Sequence, residues 1–138
     1  YNPLRSDDSI RLLHILPATE ASERLSVLCK EHIRDAEETY ITISYTWDNQ
    51  PFTREILVNG GRLLATHNAY EALKALRQVD RTHCVWIDAI CINQTDDAEK
   101  IKQVRRMRDV YANAQHTMIW LGDPTPGITA AMRFIHSL

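Results

Sequence analysis

The chain has 138 residues, with sixteen Lys plus Arg against eighteen Asp plus Glu and a formal net charge of -2, so no whole-molecule field draws it to nucleic acid or to an anionic membrane. The length suits one domain with its own core, and a composition that is 44% hydrophobic and 25% charged excludes disordered, collagen-like and low-complexity chains. No stretch approaches the roughly 18 apolar residues of a membrane span, so a soluble, intracellular domain is expected. Its start at Tyr1 rather than Met leads to the further expectation of a piece of a longer protein.

In chain order, Arg11 to Leu16 reads as a first strand stopped by Pro17, with a helical turn left open by its shortness. Residues 18–38 fit either a strand, through the alternation of Leu25, Val27 and Cys29, or a helix, through the charges of Glu20 to Arg24 and Glu31 to Glu38. Tyr40 to Trp47 is rich in β-branched and aromatic residues and reads as a strand, ended by the turn chemistry of Asp48-Asn49-Gln50-Pro51. Glu55 to Val58 and Arg62 to Ala65 flank Asn59-Gly60-Gly61, which predicts a hairpin because Asn and Gly tolerate the positive φ of its turn.

A helix capped by Asn68, with Glu71 three residues on, is expected next, with Ala69, Ala72, Leu73, Leu76 and Val79 on one face. Val85 to Ile92 reads as a central strand covered on both sides, Asp88 being its single acid, with Cys84 and Cys91 facing opposite ways. Residues 97–114 give the clearest helix, with Ala98, Ile101, Val104, Met107, Tyr111 and Ala114 on one face. Thr117 to Leu121 predicts another buried strand, broken by Gly122-Asp123-Pro124, and Ile128 to Leu138 has helical spacing. The alternation of strands and helices predicts an α/β fold with a mostly parallel sheet flanked by helices and an inserted hairpin. Ligands of such sheets sit beyond the carboxyl ends of the strands, where Tyr45, Trp47, Asp88, Asn93 and Gln94 should gather.

Three strings carry a family resemblance: Ile43-Ser44-Tyr45-Thr46-Trp47, then Trp86-Ile87-Asp88-Ala89-Ile90-Cys91-Ile92-Asn93-Gln94 with Glu99, Gln103, Met107 and Tyr111 after it, then Ile119-Trp120-Leu121-Gly122. From about Arg11 to Gly122 the chain resembles a heterokaryon incompatibility (HET) domain, although Asp48 stands where that family usually places Gly. The resemblance implies a cytoplasmic effector of fungal nonself recognition, N-terminal in a larger protein, that triggers programmed cell death. Its partners would be further copies of itself and other incompatibility or NLR-type proteins. The family is regarded as distantly similar to TIR domains, flavodoxin-like modules of which some hydrolyse NAD, so NAD is implied as a substrate and no tightly bound cofactor is expected. The helix carrying the catalytic glutamate of TIR hydrolases would fall within Gly122 to Leu138, which contains no Glu.

Glu99 is then the candidate catalytic acid, at the head of a helix entering the crevice, where a carboxylate stabilises an oxocarbenium-like charge or positions water. Asp96-Asp97-Ala98-Glu99 equally forms a capping box, with Asp96 bonding helix amides and Glu99 reaching back. Asp88, the second candidate, either orients a ribose hydroxyl or bonds loop amides. Asn93 and Gln94 either hold a nucleotide or close their own turn, and Tyr45 and Trp47 either stack on an adenine or nicotinamide ring or pack at the rim. Trp86 and Trp120 read as core.

Lys100, Lys102, Arg105, Arg106 and Arg108 read as a solvated helix face and not as a nucleic-acid site, since no aromatic is interleaved among them. The cysteines Cys29, Cys84 and Cys91 form no C-x-x-C pair and leave one unpaired by any bridge, which suits a reducing compartment. The six histidines show no ligand spacing, so no metal site is expected. An enzyme with turnover and a self-associating module without it both remain open.

Overall fold

The computed structural model describes residues 3–5, 9–20, 23–33, 39–44 and 51–120, together with the backbone of 45 and of 132–136. The elements run β1 (Ser9–Ile15), β2 (Ser26–Ile33), β3 (Ile41–Tyr45), β4 (Arg54–Val58), β5 (Gly61–Ala65), α1 (His67–Leu76), β6 (His83–Ile87), α2 (Asp88–Cys91), α3 (Asp97–Asn113), β7 (His116–Trp120) and β8 (Met132–His136). The strands form one sheet in the order β5-β4-β2-β1-β6-β3-β7-β8.

The sheet is mixed, which corrects the expectation of a mostly parallel one. Only β2 with β4, and β3 with both β6 and β7, pair in parallel. The other four pairings are antiparallel, because β1 and β2 form a long hairpin-like pair that inserts between β6 and β4. Ile10, Leu12, Leu13 and Ile15 of β1 are all buried, the signature of a strand covered on both faces. The ambiguous segment resolves as β2, whose backbone groups are satisfied along seven residue pairs with β1.

The hairpin is as expected: Asn59 and Gly60 sit at φ 52° and 82°, the left-handed pair that a two-residue turn between twisted strands requires. Far from a mere insertion, it extends the sheet through the parallel β2/β4 pairing. Two crossovers build the other half, β3 to β6 through α1 and β6 to β7 through α3. They travel in opposite directions along the sheet, so right-handed connections place α1 and α3 on opposite faces.

Four local expectations are corrected. Thr66, not Asn68, caps α1, its hydroxyl accepting the Ala69 amide at 3.3 Å, while Asn68 is buried inside the helix. The helix stops at Leu76, so Val79 lies beyond it and is 65% exposed. The run from Val85 to Ile92 is not one strand: β6 ends at Ile87 and Asp88 to Cys91 coil into a helical turn that carries Cys91 off the sheet. Residues 132–136 form an edge strand on β7, where the unpaired backbone of β7 offers more to a short segment than its helical spacing does.

Candidate functional site

The carboxyl ends of β3, β6 and β7 point to one edge of the sheet. Strand parity puts Thr42 and Ser44 of β3 on the same face as Trp86, directly opposite Thr42. That is the face under α3, since the Trp86 ring meets Tyr111 of α3 edge-on at 5.7 Å. Helical side chains lean toward the helix N-terminus, so the Tyr111 phenol reaches back along the sheet to Ser44, with which it hydrogen-bonds. Burial, and then the charge of Asp88, push the Tyr111 pKa up, against the opposing pull of the Ser44 hydrogen bond. Ser44, Asp88 and Tyr111 thus form a half-buried polar group at this edge.

Asp88 opens the α2 turn, and its carbonyl accepts the Gln94 side-chain amide at 2.9 Å. Asn93 spends its side-chain oxygen on the amide and hydroxyl of Thr95, closing an Asx turn. Both amides therefore shape the loop between α2 and α3, the structural alternative considered for them. Tyr45 is the last residue of β3, in register with Trp120. Trp47 lies outside the described residues.

Glu99 sits in a different setting from the open crevice expected of it. The Arg11 guanidinium grips its carboxylate with two parallel contacts of 2.7 and 2.5 Å, and the Asn93 amide donates a third bond at 2.6 Å. The two side chains are 5% and 10% exposed. Burial works against the charged carboxylate, but the Arg11 hydrogen bond, the Asn93 amide and the Arg11 charge together outweigh it and hold the Glu99 pKa below the ordinary value. Arg11 also donates to the Cys91 carbonyl at 3.1 Å, tying β1 to the end of α2. The capping reading holds for Asp96, which accepts the Glu99 amide at 3.1 Å, whereas the Glu99 carboxylate reaches past the cap residue to Asn93.

Sequence reasoning missed Arg11, and the signal was available: an arginine inside an apolar strand must find a buried acid. Gln103, one turn after Glu99, was quoted only within a motif; it is buried and donates to the Ser9 carbonyl at 3.3 Å. Cys91 is fully buried, and burial drives its thiol pKa well above the ordinary value, which leaves it a packing residue. Among the described residues no group of three His, Cys, Asp or Glu side chains is placed to hold a metal ion, and no helix is long and apolar enough to cross a membrane.

A family model described as heterokaryon incompatibility protein (HET) matches residues 40–138. The chain belongs to the HET family. It is also 34% identical over 142 residues to heterokaryon incompatibility protein 6, OR allele, of Neurospora crassa, an alignment covering 94% of the chain and 20% of that relative. The chain therefore spans about a fifth of the length of the curated relative it matches. No solved structure matches it. The family match begins at Tyr40, so Arg11, which holds Glu99 of the HET domain, comes from a strand ahead of the matched region.

Proposed function

We propose that this HET domain is the N-terminal effector part of a larger protein of fungal heterokaryon incompatibility, which triggers cell death in the cytoplasm by cleaving NAD. The observation that carries this reading is the order of the parallel strands. In the parallel group around β3 the strands come in the chain as β3, β6 and β7, and they lie in the order second, first, third. This order supports a flavodoxin-like reading, in which the ligand crevice falls at the carboxyl ends beside the first strand, where the strand order reverses. The half-buried group of Ser44, Asp88 and Tyr111 lies at that edge.

In this reading Asp88 is the acid beside the nicotinamide ribose, and Tyr45 and Trp47 stack on a ring of the dinucleotide. The glycosidic C–N bond breaks with its electron pair passing to the pyridinium nitrogen, which releases neutral nicotinamide. A water oxygen forms the new C–O bond to the ribose and gives up a proton, leaving ADP-ribose. The Asp88 carboxylate offsets the positive charge that develops on the ribose. Glu99, held by Arg11, acts as a positioning residue: through the Asn93 amide it sets the loop that bears Asn93 and Gln94.

The test is nicotinamide release by purified protein, at concentrations that allow assembly, beside an Asp88→Asn variant. The expected result is turnover that falls about a hundredfold in the variant, with an unchanged melting temperature. Absence of turnover from demonstrated assemblies favours a module that signals by contact alone, with copies of itself or NLR-type proteins as partners. A specific observation supports that second reading: Ile101 and Val104 stand 55% and 51% exposed on the outer face of α3.

A further inference from the structure

The sheet has a step on its other half. β4 pairs with β2 only at Ser26 and Val27, whereas β1 pairs with β2 all the way to Ile33. The β4-β5 hairpin therefore ends beside the middle of β2, and the remainder of β2 runs on past its tip. Asn59 fixes that tip, accepting the Cys29 amide at 2.9 Å and donating to the Cys29 carbonyl at 3.3 Å. On the far side the segment Pro3 to Arg5 closes in, its Arg5 amide donating to Glu31 at 2.8 Å. Between these walls lies a cleft of about 780 Å³.

Its lining is one-sided in charge. Arg5, Lys30 and Arg62 reach it from three separate segments, and Arg11, whose charge Glu99 already balances, lies at its back; among the described residues the only lining carboxylate is Glu31. Arg62 pairs with Glu55 at 2.7 Å, and Lys30 has no ion-pair partner among the described residues. Beside the cations the cleft offers apolar surface from Leu63 and from Ile33, which is 64% exposed. Two guanidinium forks and an ammonium around one space suit a group with several anionic oxygens, and the apolar side suits an attached ring. The volume falls within the range of small-molecule sites, about 300–1,000 Å³.

We infer that the cleft between the Pro3–Arg5 segment, β2 and the hairpin tip binds a nucleoside diphosphate, its phosphates on Arg5, Lys30 and Arg62 and its base against Ile33 and Leu63. The site is separate from the Asp88 edge and rests on the NAD reading only for the choice of probe. Both Lys30 and Arg62 are exposed, so their replacement leaves the core intact.

Calorimetric titration with ADP, pyrophosphate and adenosine tests it. ADP should bind saturably, pyrophosphate more weakly and adenosine more weakly still. Lys30→Gln and Arg62→Gln should each weaken ADP about tenfold, with melting temperatures of the free protein unchanged. Affinity should also fall as salt rises. Absence of saturable ADP binding, or a double variant that binds ADP like the wild type, overturns the assignment. So does a single-stranded oligonucleotide that displaces ADP while binding more tightly. ADP binding without nicotinamide release supports the cleft and removes the hydrolase, whereas nicotinamide release with ADP affinity untouched by the double variant does the reverse.

Discussion

The two crossover helices cover opposite faces of the same sheet and are held there by different forces. α1 is 10 residues long and buries Ala69, Ala72, Leu73 and Leu76 as an apolar stripe, with Asn68 buried at its start next to the Thr66 cap. α3 is 17 residues long, yet its fully buried residues are Gln103 and Val110, with Met107 and Tyr111 packed partly against the core. Polar pins do the rest: Asp96 caps its start, Arg11 holds Glu99, Gln103 bonds the Ser9 carbonyl, and the Tyr40 hydroxyl donates to the Val110 carbonyl at 2.7 Å. The last of these satisfies one of the carbonyls that a helix end leaves open. The HET domain thus has one helix fixed by apolar area and one, beside the candidate site, fixed by charge and hydrogen bonds.

The sharpest way to break that contrast is to remove one half of the buried ion pair. Arg11→Met strands the Glu99 carboxylate in a closed setting and should cost about 3–5 kcal/mol of unfolding free energy in a denaturant titration, whereas Arg11→Met with Glu99→Met should recover most of it. The pH response should also change sign. In the wild type the Glu99 pKa is depressed, so its contribution is complete above the ordinary glutamate value of 4.5 and is lost as pH falls through the depressed folded value. In Arg11→Met burial acts on Glu99 without the arginine to oppose it, the folded pKa rises above the unfolded one, and stability should grow as pH falls toward 4.5. Equal acid sensitivity in the two proteins would show that α3 is not pinned by this pair.

The counterpart on α1 is Leu73→Ala. Leu73 is fully buried, and deleting its side chain should cost about 2–5 kcal/mol through lost transfer free energy and the cavity left behind. This loss should be the same at pH 4 and pH 7, because the nearby stripe is apolar. A strongly pH-dependent loss would mean that α1 too relies on charge.

The same contrast explains what could be read from the sequence. The apolar stripe from Ala69 to Leu76 and the Asn59-Gly60 turn are local patterns, and local patterns survive in the fold. α3 was expected to turn Ile101 and Val104 inward with Met107 and Tyr111, but its seat is set by Gln103, Val110 and the pins from β1 and β3, so the first two face outward. Periodicity places a helix and cannot say which of two neighbouring stripes a distant arginine will select. The mixed sheet escaped for the same reason: the antiparallel β1-β2 pair inserts through a register between residues far apart in the chain, and nothing local records it. At the candidate edge, Asp88 was legible as the single acid in an apolar run. Its neighbour Tyr111 was not, because it arrives from a helix more than twenty residues later.

A smaller effect separates the helix starts. Asp96→Ala and Thr66→Ala each remove a side chain that accepts an N-terminal helix amide, and each should cost about 1 kcal/mol. The distribution of the loss is the informative part. Hydrogen exchange in Asp96→Ala should quicken across the first turns of α3 and the 92–96 loop, because Asp96 and the Glu99 pair share that loop. In Thr66→Ala the loss should follow global unfolding, since the α1 stripe still holds the helix down.

The smallest expected effect bears on function most directly. Ile101→Ser and Val104→Ser touch the outer face of α3, and exposed substitutions of this kind should change stability by no more than about 0.5 kcal/mol. A loss above about 2 kcal/mol would mean that the helix buries this face and that the polar pins are secondary. With stability unchanged, sedimentation of the paired variant separates the two functional readings. A contact-only module that uses this face loses its assembly, and its killing with it, whereas a domain that acts through Asp88 keeps turnover per assembled chain. Because α3 is held by pins on its inner side, its outer side is free to be replaced without moving Tyr111 or the loop that Glu99 supports, and this makes the comparison clean.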